Sequence, residues 1–289
     1  MHLSIITVTW NSSETICKQI ASVQKHAEGL SFEQIIVDNG SSDKSLETIN
    51  TYIKDNDLKN ITVIDAKKNL GFGRANNMAF DQAKGEYVLF LNPDMQISDG
   101  QLKDLKTYMD KNTDVGISSV RLVDQDNIVN KQALPRLFPT FTILYLFVSK
   151  ASLFFPFLLN DYLMEGFDID KQQQVDSVRG SFMFTRKSFL DTLGWAFDPR
   201  YFIWFEDVDI CKEANKHNLK VMHLPLMTCV DYIGQSFKQR QSFWKYNQFT
   251  TSLLQYAQKW HGPSWSIPLS IVQVPIKFLM KVRELVTDN

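Results

Sequence analysis

Along the first 123 positions, short uninterrupted apolar runs alternate with stretches whose apolar residues recur at helical spacing. Leu3–Thr9 reads as a strand, and Asn11-Ser12-Ser13-Glu14 as a capped helix start followed by Ile16, Ile20 and Val23 on one face. A second strand at 34–37 ends in the polar turn Asp38-Asn39-Gly40-Ser41-Ser42-Asp43 and leads to a helix bearing Leu46, Ile49 and Ile53. A third strand, at 61–64, precedes Asn69-Leu70-Gly71-Phe72-Gly73-Arg74-Ala75-Asn76-Asn77, which opens a helix ending near Lys84-Gly85. Tyr87–Leu91 is wholly apolar, the mark of a strand buried on both faces and so of a central parallel strand. A helix at 99–111, with Leu102, Leu105 and Met109 inward, and a strand at 115–123 complete the alternation. The pattern predicts an α/β fold with a Rossmann-like, mostly parallel central sheet flanked by helices.

The alternation breaks at 135–162 into an excursion rich in proline and aromatic residues, including Phe138, Phe141, Tyr145, Phe147, Phe154, Phe155 and Phe157. Core packing of an inserted element and a surface facing a membrane or lipid acceptor both fit it. Order returns with a strand over 176–184 and a helix that opens on Glu206. A helix at 240–260 and another from Pro275 onward close the chain. In the last, Lys277, Lys281 and Glu284 leave Phe278, Leu279, Val282, Leu285 and Val286 to another face, which suits an inner-leaflet contact, a cap on the domain or a homodimer contact. The expected division is a catalytic domain over 1–236 and a helical extension over 237–289.

Composition narrows the function. With 31 basic and 32 acidic residues the net charge is −1, so no global field recruits DNA or RNA. Cys17, Cys211 and Cys229 are too few and too scattered for a disulfide framework or a zinc cluster, in keeping with a reducing cytosol. The start of the chain runs straight into a strand pattern without the marks of a signal peptide, which places the protein on the cytoplasmic side. Two greasy stretches, 137–148 and 265–280, are interrupted by proline and polar residues and fall short of the roughly 20 apolar residues that cross a bilayer. Either can lie at a membrane surface.

Candidate chemistry gathers where strands end. Asn92-Pro93-Asp94 follows the central strand, at the edge where open α/β sheets bind ligands, and a carboxylate there can hold a divalent cation against phosphates. Asn11, Asp38 and Asn39 end the first two strands with groups that can hydrogen-bond a pyrimidine nucleotide. Gly71 and Gly73 lack the third glycine of a dinucleotide loop, since Asn76 stands in its place, and no phosphate-cradling Gly-Lys-Ser or Gly-Lys-Thr occurs. Gly180, within Asp176-Ser177-Val178-Arg179-Gly180-Ser181, permits a close approach by ligand. Glu206, Asp207 and Asp209 share the first turn of a helix, where the helix dipole alone favours them. The aromatic wall from Tyr201 through Trp204 to Phe205 also desolvates an acid there and raises its proton affinity, as a general base requires.

Five segments, in order, resemble the glycosyltransferase family 2 enzymes and within them a rhamnosyltransferase-like subgroup: Val8-Thr9-Trp10-Asn11-Ser12, the turn 36–43, the loop 69–77, Leu91-Asn92-Pro93-Asp94 and the acidic stretch 201–209. The resemblance implies a GT-A fold, a nucleotide-sugar donor (dTDP- or UDP-sugar, with dTDP-rhamnose foremost), a divalent cation, Mn2+ or Mg2+, and inversion at the anomeric carbon. The acceptor it implies is a saccharide or polyprenyl-linked hydroxyl in bacterial surface-polysaccharide synthesis. By the same likeness Asp207 is the base, assisted by Glu206. The donor nucleotide falls to Thr9, Asn11, Asp38, Asn39, Gly71, Arg74, Asn76 and Asn92, the sugar or acceptor to Arg179, Gly180 and Trp204, and the metal to Asp94. Asn92 stands where many relatives carry a carboxylate, and Asp231, opening Asp231-Tyr232-Ile233-Gly234-Gln235-Ser236, where they carry histidine. Asp231 is then either a second metal ligand or a turn acid, and these two departures keep a non-catalytic nucleotide-sugar-binding module open as the alternative.

Overall fold

The computed structural model describes residues 1–232 and 242–287. A nine-stranded sheet forms its centre, with strands β1 (Leu3–Thr9), β2 (Phe32–Asp38), β3 (Ile61–Asp65), β4 (Tyr87–Leu91), β5 (Met95–Asp99), β6 (Val115–Val123), β7 (Gln173–Gln174), β8 (Phe182–Arg186) and β9 (Lys220–Asp231). The order is β3-β2-β1-β4-β8-β6-β9-β5, with β7 beside β9. β1 to β4, β6 and β9 share one direction, and β5, β7 and β8 run against them. The sheet is thus mostly parallel, as the alternation of elements predicts. Its central strand β4 is buried at all five positions, but only one neighbour, β1, is parallel to it, whereas β8 is antiparallel.

Helices α1 (Ile16–His26), α2 (Ser45–Asp55), α3 (Phe72–Phe80) and α4 (Leu102–Lys111) cover the sheet through apolar faces such as Ile16, Ile20 and Val23 on α1. Several boundaries differ from expectation. α1 starts at Ile16 without a side-chain cap, because the Ser12 carbonyl accepts from Thr15 and Ile16 and supplies the first turn itself. Met95–Asp99 forms β5, placed by pairing with β9, ahead of the helix expected from 99. The strand expected from 176 begins at Phe182, because Ser177 pairs instead with Arg136 in an isolated bridge.

The excursion folds into α5 (Phe141–Val148) and two short turns. After α6 (Lys187–Leu193) and α7 (Glu206–Lys216), the chain ends in α8 (Ser242–His261) and α9 (Pro263–Thr287). α9 begins well before Pro275 and carries Pro268 and Pro275 inside it. Each proline removes a helical N–H, and packing against α8 through the buried Leu269 offsets that loss. Leu144 and Val148 of α5 share one core with Tyr201, Phe205, Val208, Leu253, Tyr256 and Leu269, so the excursion and the C-terminal helices back the turn that enters α7. The expected helix start at Arg240, the boundary at 236/237 and the segment Ile233-Gly234-Gln235-Ser236 lie outside the described residues, as do the side chains of Leu285 and Val286. Among the described residues no helix is long and apolar enough to cross a membrane.

Candidate active site

Parallel pairing of β1 with β2 and β4 brings their carboxyl ends to one edge, where Thr9 aligns with Asp38. A cleft of about 280 Å³ opens there, bounded by those strand ends, the 69–72 loop, the loop after β6, the 179–181 segment and the start of α7. Asn39, Gly71, Asn92, Asp94, Arg179, Gly180, Trp204, Glu206, Asp207 and Asp231 all line it. Segments far apart in sequence therefore meet in one cavity, the arrangement expected where a ligand binds at a sheet's carboxyl edge.

The 69–71 loop is fixed by polar clamps. Asn39 Oδ1 accepts from the Leu70 amide at 2.8 Å, and Asn69 Oδ1 accepts from the Gly71 amide at 2.9 Å. Gly71 has φ +86°, and a Cβ built there lies 2.5 Å from the Phe202 carbonyl oxygen, so only glycine fits. Phe72 donates its amide to the same carbonyl at 2.7 Å, which ties the donor-side loop to the aromatic wall before α7.

That wall ends in two consecutive left-handed residues, Trp204 (φ 66°) and Phe205 (φ 68°), a strained turn for bulky side chains. It turns Glu206 and Asp207 into the cleft. Asp207 is held on three sides: Gly180 N–H at 3.3 Å and Arg179 Nη1 at 3.6 Å approach Oδ2, and Val208 N–H meets Oδ1 at 2.9 Å. Glu206 is equally buried, and its Oε2 accepts no hydrogen bond. Burial first, and the Asp207 charge second, push its carboxyl up to about 8. The desolvation anticipated from the aromatic wall thus falls on Glu206.

Behind these acids, Asp209 is fully buried and accepts from Lys259 Nζ (2.7 Å), Trp260 Nε1 (2.7 Å) and Tyr201 OH (3.1 Å). Lys259, on α8, also reaches Asp198 Oδ2 at 3.0 Å and Glu213 Oε1 at 2.8 Å. Burial raises Asp209 against the opposing pull of Lys259, whereas Asp198 is held down to about 2 by Arg200 and Lys259 despite its own desolvation.

Asp94, in the turn just before β5, and Asp231, on β9, are held beside each other, since Asp231 pairs with Met95 and the Tyr232 amide donates to the Asp94 carbonyl at 3.1 Å. Asp231 is thus the last residue of β9. Asn130 Nδ2 donates to its Oδ2 at 3.1 Å and orients it. Among the described residues no group of three His, Cys, Asp or Glu side chains is placed to hold a metal ion. The set fits a hard cation of the kind that takes one or two carboxylates and completes its shell with water and substrate phosphates.

Other anticipated residues stand outside the cleft lining. Asp38 accepts from Thr9 Oγ1 (3.3 Å) and from the Ser41 amide (3.0 Å), so both side chains shape the turn that presents Asn39. Asn11, with φ 53°, accepts from the Ser42 amide at 2.8 Å and joins the loops after β1 and β2. Arg74 is exposed and donates to the Pro199 carbonyl at 3.0 Å. Asn76, expected on the donor nucleotide, is buried and donates back to the Phe72 carbonyl of its own helix at 2.9 Å. Trp10, Phe202, Asn130 and Trp244 line the cleft unanticipated. Trp10 and Phe202 sit inside the motif segments, whereas Asn130 and Trp244 carry no local signal.

The family model for glycosyl transferase family 2 matches residues 4–192. The chain is 26% identical over 226 residues to the low-salt glycan biosynthesis hexosyltransferase Agl10 of Haloferax volcanii, covering 76% of this chain and 63% of that protein. It is 32% identical over 112 residues to the Staphylococcus aureus poly(ribitol-phosphate) β-N-acetylglucosaminyltransferase TarS, covering 38% of this chain and 19% of that one. It spans less than two thirds of either relative. The TarS structure with UDP-GlcNAc superposes with a TM-score of 0.57 at 19% identity over 94% of this chain and 70% of that one. The Pyrobaculum calidifontis mannosyltransferase PcManGT, with GDP-Man and Mn2+, gives 0.57 at 15% identity, covering all of this chain and 81% of its own. The fold is GT-A, and with the family model matched over most of its length the chain belongs to glycosyl transferase family 2.

Proposed function

We propose that the protein is an inverting, cation-dependent glycosyltransferase that moves a sugar from a nucleoside diphosphate donor to a hydroxyl of a saccharide or polyprenyl-linked acceptor in cell-surface glycan synthesis. The observation that carries this reading is the meeting, in one cleft, of a buried acid pair with the strand-end Asn92-Pro93-Asp94. Asp207 accepts the proton of the acceptor hydroxyl as that oxygen bonds to the anomeric carbon, while the bond from that carbon to the diphosphate oxygen breaks on the opposite face. Arg179 and the Gly180 amide hold the Asp207 carboxylate in place for this step. Asn39 and the clamped 69–71 loop form the donor-side wall, and Trp10 and Trp204 offer apolar faces to base and sugar. Asp94 and Asp231 would hold the cation, whose chemistry is to neutralise charge on the departing phosphates.

The rhamnosyltransferase-like motifs favour dTDP-rhamnose as donor. A UDP-sugar is the second reading, favoured by the similar fold of a protein solved with UDP-GlcNAc. Thermal melts with dTDP-, UDP- and GDP-sugars, with and without manganese, separate them, because a ligand of the native state raises its melting temperature. A manganese-dependent rise selective for dTDP-rhamnose is expected; a rise with UDP-sugars alone moves the donor, and no rise with any overturns the reading.

The same protein is proposed to rest on an anionic lipid surface. Ile267, Ile271, Val274, Phe278 and Val282 form one exposed stripe along α9, and Leu153, Phe154, Phe155 and Phe157 stand exposed on the excursion, with Phe154 at 79% and Phe278 at 68%. The helix α5 that leads into the excursion patch packs against α9 through Leu144, Val148 and Leu269, and Lys277 and Lys281 lie along the tail. Vesicles containing anionic lipid should pellet the protein, and Phe154→Ser with Phe278→Ser should release it. Equal recovery in the supernatant for both proteins sinks the idea.

A further inference from the structure

Glu206 and Asp207 are adjacent, comparably buried at 6% and 7% exposure, and placed in opposite company. Asp207 is held by Arg179 Nη1, Gly180 N–H and Val208 N–H. Arg136, on the excursion side, adds its charge to the field at Asp207. Glu206 lines the cleft, but one of its carboxyl oxygens is sealed from solvent without a hydrogen-bond donor. A buried carboxylate with one oxygen lacking a donor is costly, and the backbone hydrogen bond it does receive is outweighed by burial, while a neutral carboxyl tolerates that site and keeps one O–H to give.

The charged groups facing Glu206 from other elements do not reverse this. Arg179 is the cation felt by Glu206, and it lies against Asp207; Asp207 and Asp209, on its own helix, both repel a negative charge there. Lys259 is spent on Asp198, Asp209 and Glu213. The helix N-terminus favours an anion at Glu206 and is outweighed by burial. Where two neighbouring carboxyls meet such different surroundings, they take different roles.

We propose that Glu206 works as an uncharged carboxylic acid, donating its O–H to an oxygen of the sugar or acceptor beside Asp207, so that one acid of the pair donates and the other accepts. This rests on the glycosyltransferase reading above and deepens it. A protonated Glu206 positions the ligand hydroxyl that Asp207 deprotonates and leaves no second negative charge beside the leaving diphosphate. Glutamine at 206 reproduces the donor without the titration.

The test is the pH profile of kcat/KM for the full chain and for Glu206→Gln and Glu206→Ala. Wild-type activity should fall by about tenfold per pH unit once Glu206 ionises, above about pH 8. Glu206→Gln should keep activity within a few-fold near neutrality and lose that alkaline fall, while Glu206→Ala loses about tenfold or more. A Glu206→Gln enzyme as inactive as Asp207→Asn, or a wild-type rate that climbs through this range, overturns the proposal. An infrared difference spectrum between wild type and Glu206→Gln gives a readout independent of turnover. A protonated carboxyl band assigned to Glu206 near neutrality, lost in alkali, is expected; its absence sinks the inference, whereas its presence in a protein that transfers no sugar sinks the glycosyltransferase reading alone.

Discussion

Replacing Lys259 by methionine keeps most of the apolar stem and removes the charge on which three buried carboxylates converge, at 2.7 to 3.0 Å from Asp209, Glu213 and Asp198. The loss is not shared equally. Asp198 keeps Arg200, and Glu213 keeps Lys216 at 3.6 Å, but Asp209 is fully buried and, among the described residues, retains only the neutral donors Tyr201 and Trp260. Removing one partner of a buried ion pair costs about 3–5 kcal/mol, and the remaining donors place this case near the lower end, about 3 kcal/mol at neutral pH. Asp209 can escape the penalty by taking a proton. Its carboxyl is already raised by burial, and without Lys259 it rises further, so the folded variant binds a proton that the unfolded chain has lost. The penalty therefore grows with rising pH above the unfolded value near 3.9 and shrinks toward it. Urea unfolding followed by far-ultraviolet circular dichroism, at about pH 7 and about pH 5, measures both parts. A loss under about 1 kcal/mol at neutral pH, or one that grows as pH falls, refutes the reasoning. Because Asp209 shares the first turn of α7 with Glu206 and Asp207, turnover should fall more than donor affinity.

Gly71→Ala forces a Cβ to 2.5 Å from the Phe202 carbonyl at a left-handed φ, and should lower stability by about 1–3 kcal/mol in thermal or urea melts and weaken donor binding more than that. Glu206→Gln should stabilise the protein at pH 8 and leave it unchanged near pH 4. The wild-type carboxyl is raised, so its penalty is absent below the unfolded value of about 4.3, grows through neutrality and levels off above about 8, reaching a few kcal/mol. Melting curves of both proteins across that range give the difference, and parallel curves contradict it.

What the chain's pattern reveals follows from how local each signal is. β4 is legible because all five of its residues are buried and apolar, and the turns at Asp38-Asn39-Gly40 and Asn92-Pro93-Asp94 are legible because their composition demands a turn. β9 is not. Pro225 interrupts its pattern, and the sheet absorbs it in an irregularity where Ser119 pairs with His223 but Arg121 with Thr228. β5 depends wholly on β9 and is hidden with it. The acid pair is visible in sequence, but the left-handed Trp204-Phe205 turn that aims it and the unequal partners that divide it are tertiary facts. Asn130 lies 101 residues from Asp231, whose carboxylate it orients, and no spacing rule reaches that far. Asn76 is legible as part of its motif, but the hydrogen bond its amide gives to the Phe72 carbonyl within its own helix is not.

Asp207→Asn tests the assignment of the base most directly, read as donor affinity by titration calorimetry and sugar transfer by product formation on the same preparation. The variant should bind nucleotide sugar as tightly as wild type and transfer sugar at least ~100-fold more slowly, because the carboxylate held by Arg179 and Gly180 no longer accepts the proton. Transfer at the wild-type rate would contradict the role of Asp207.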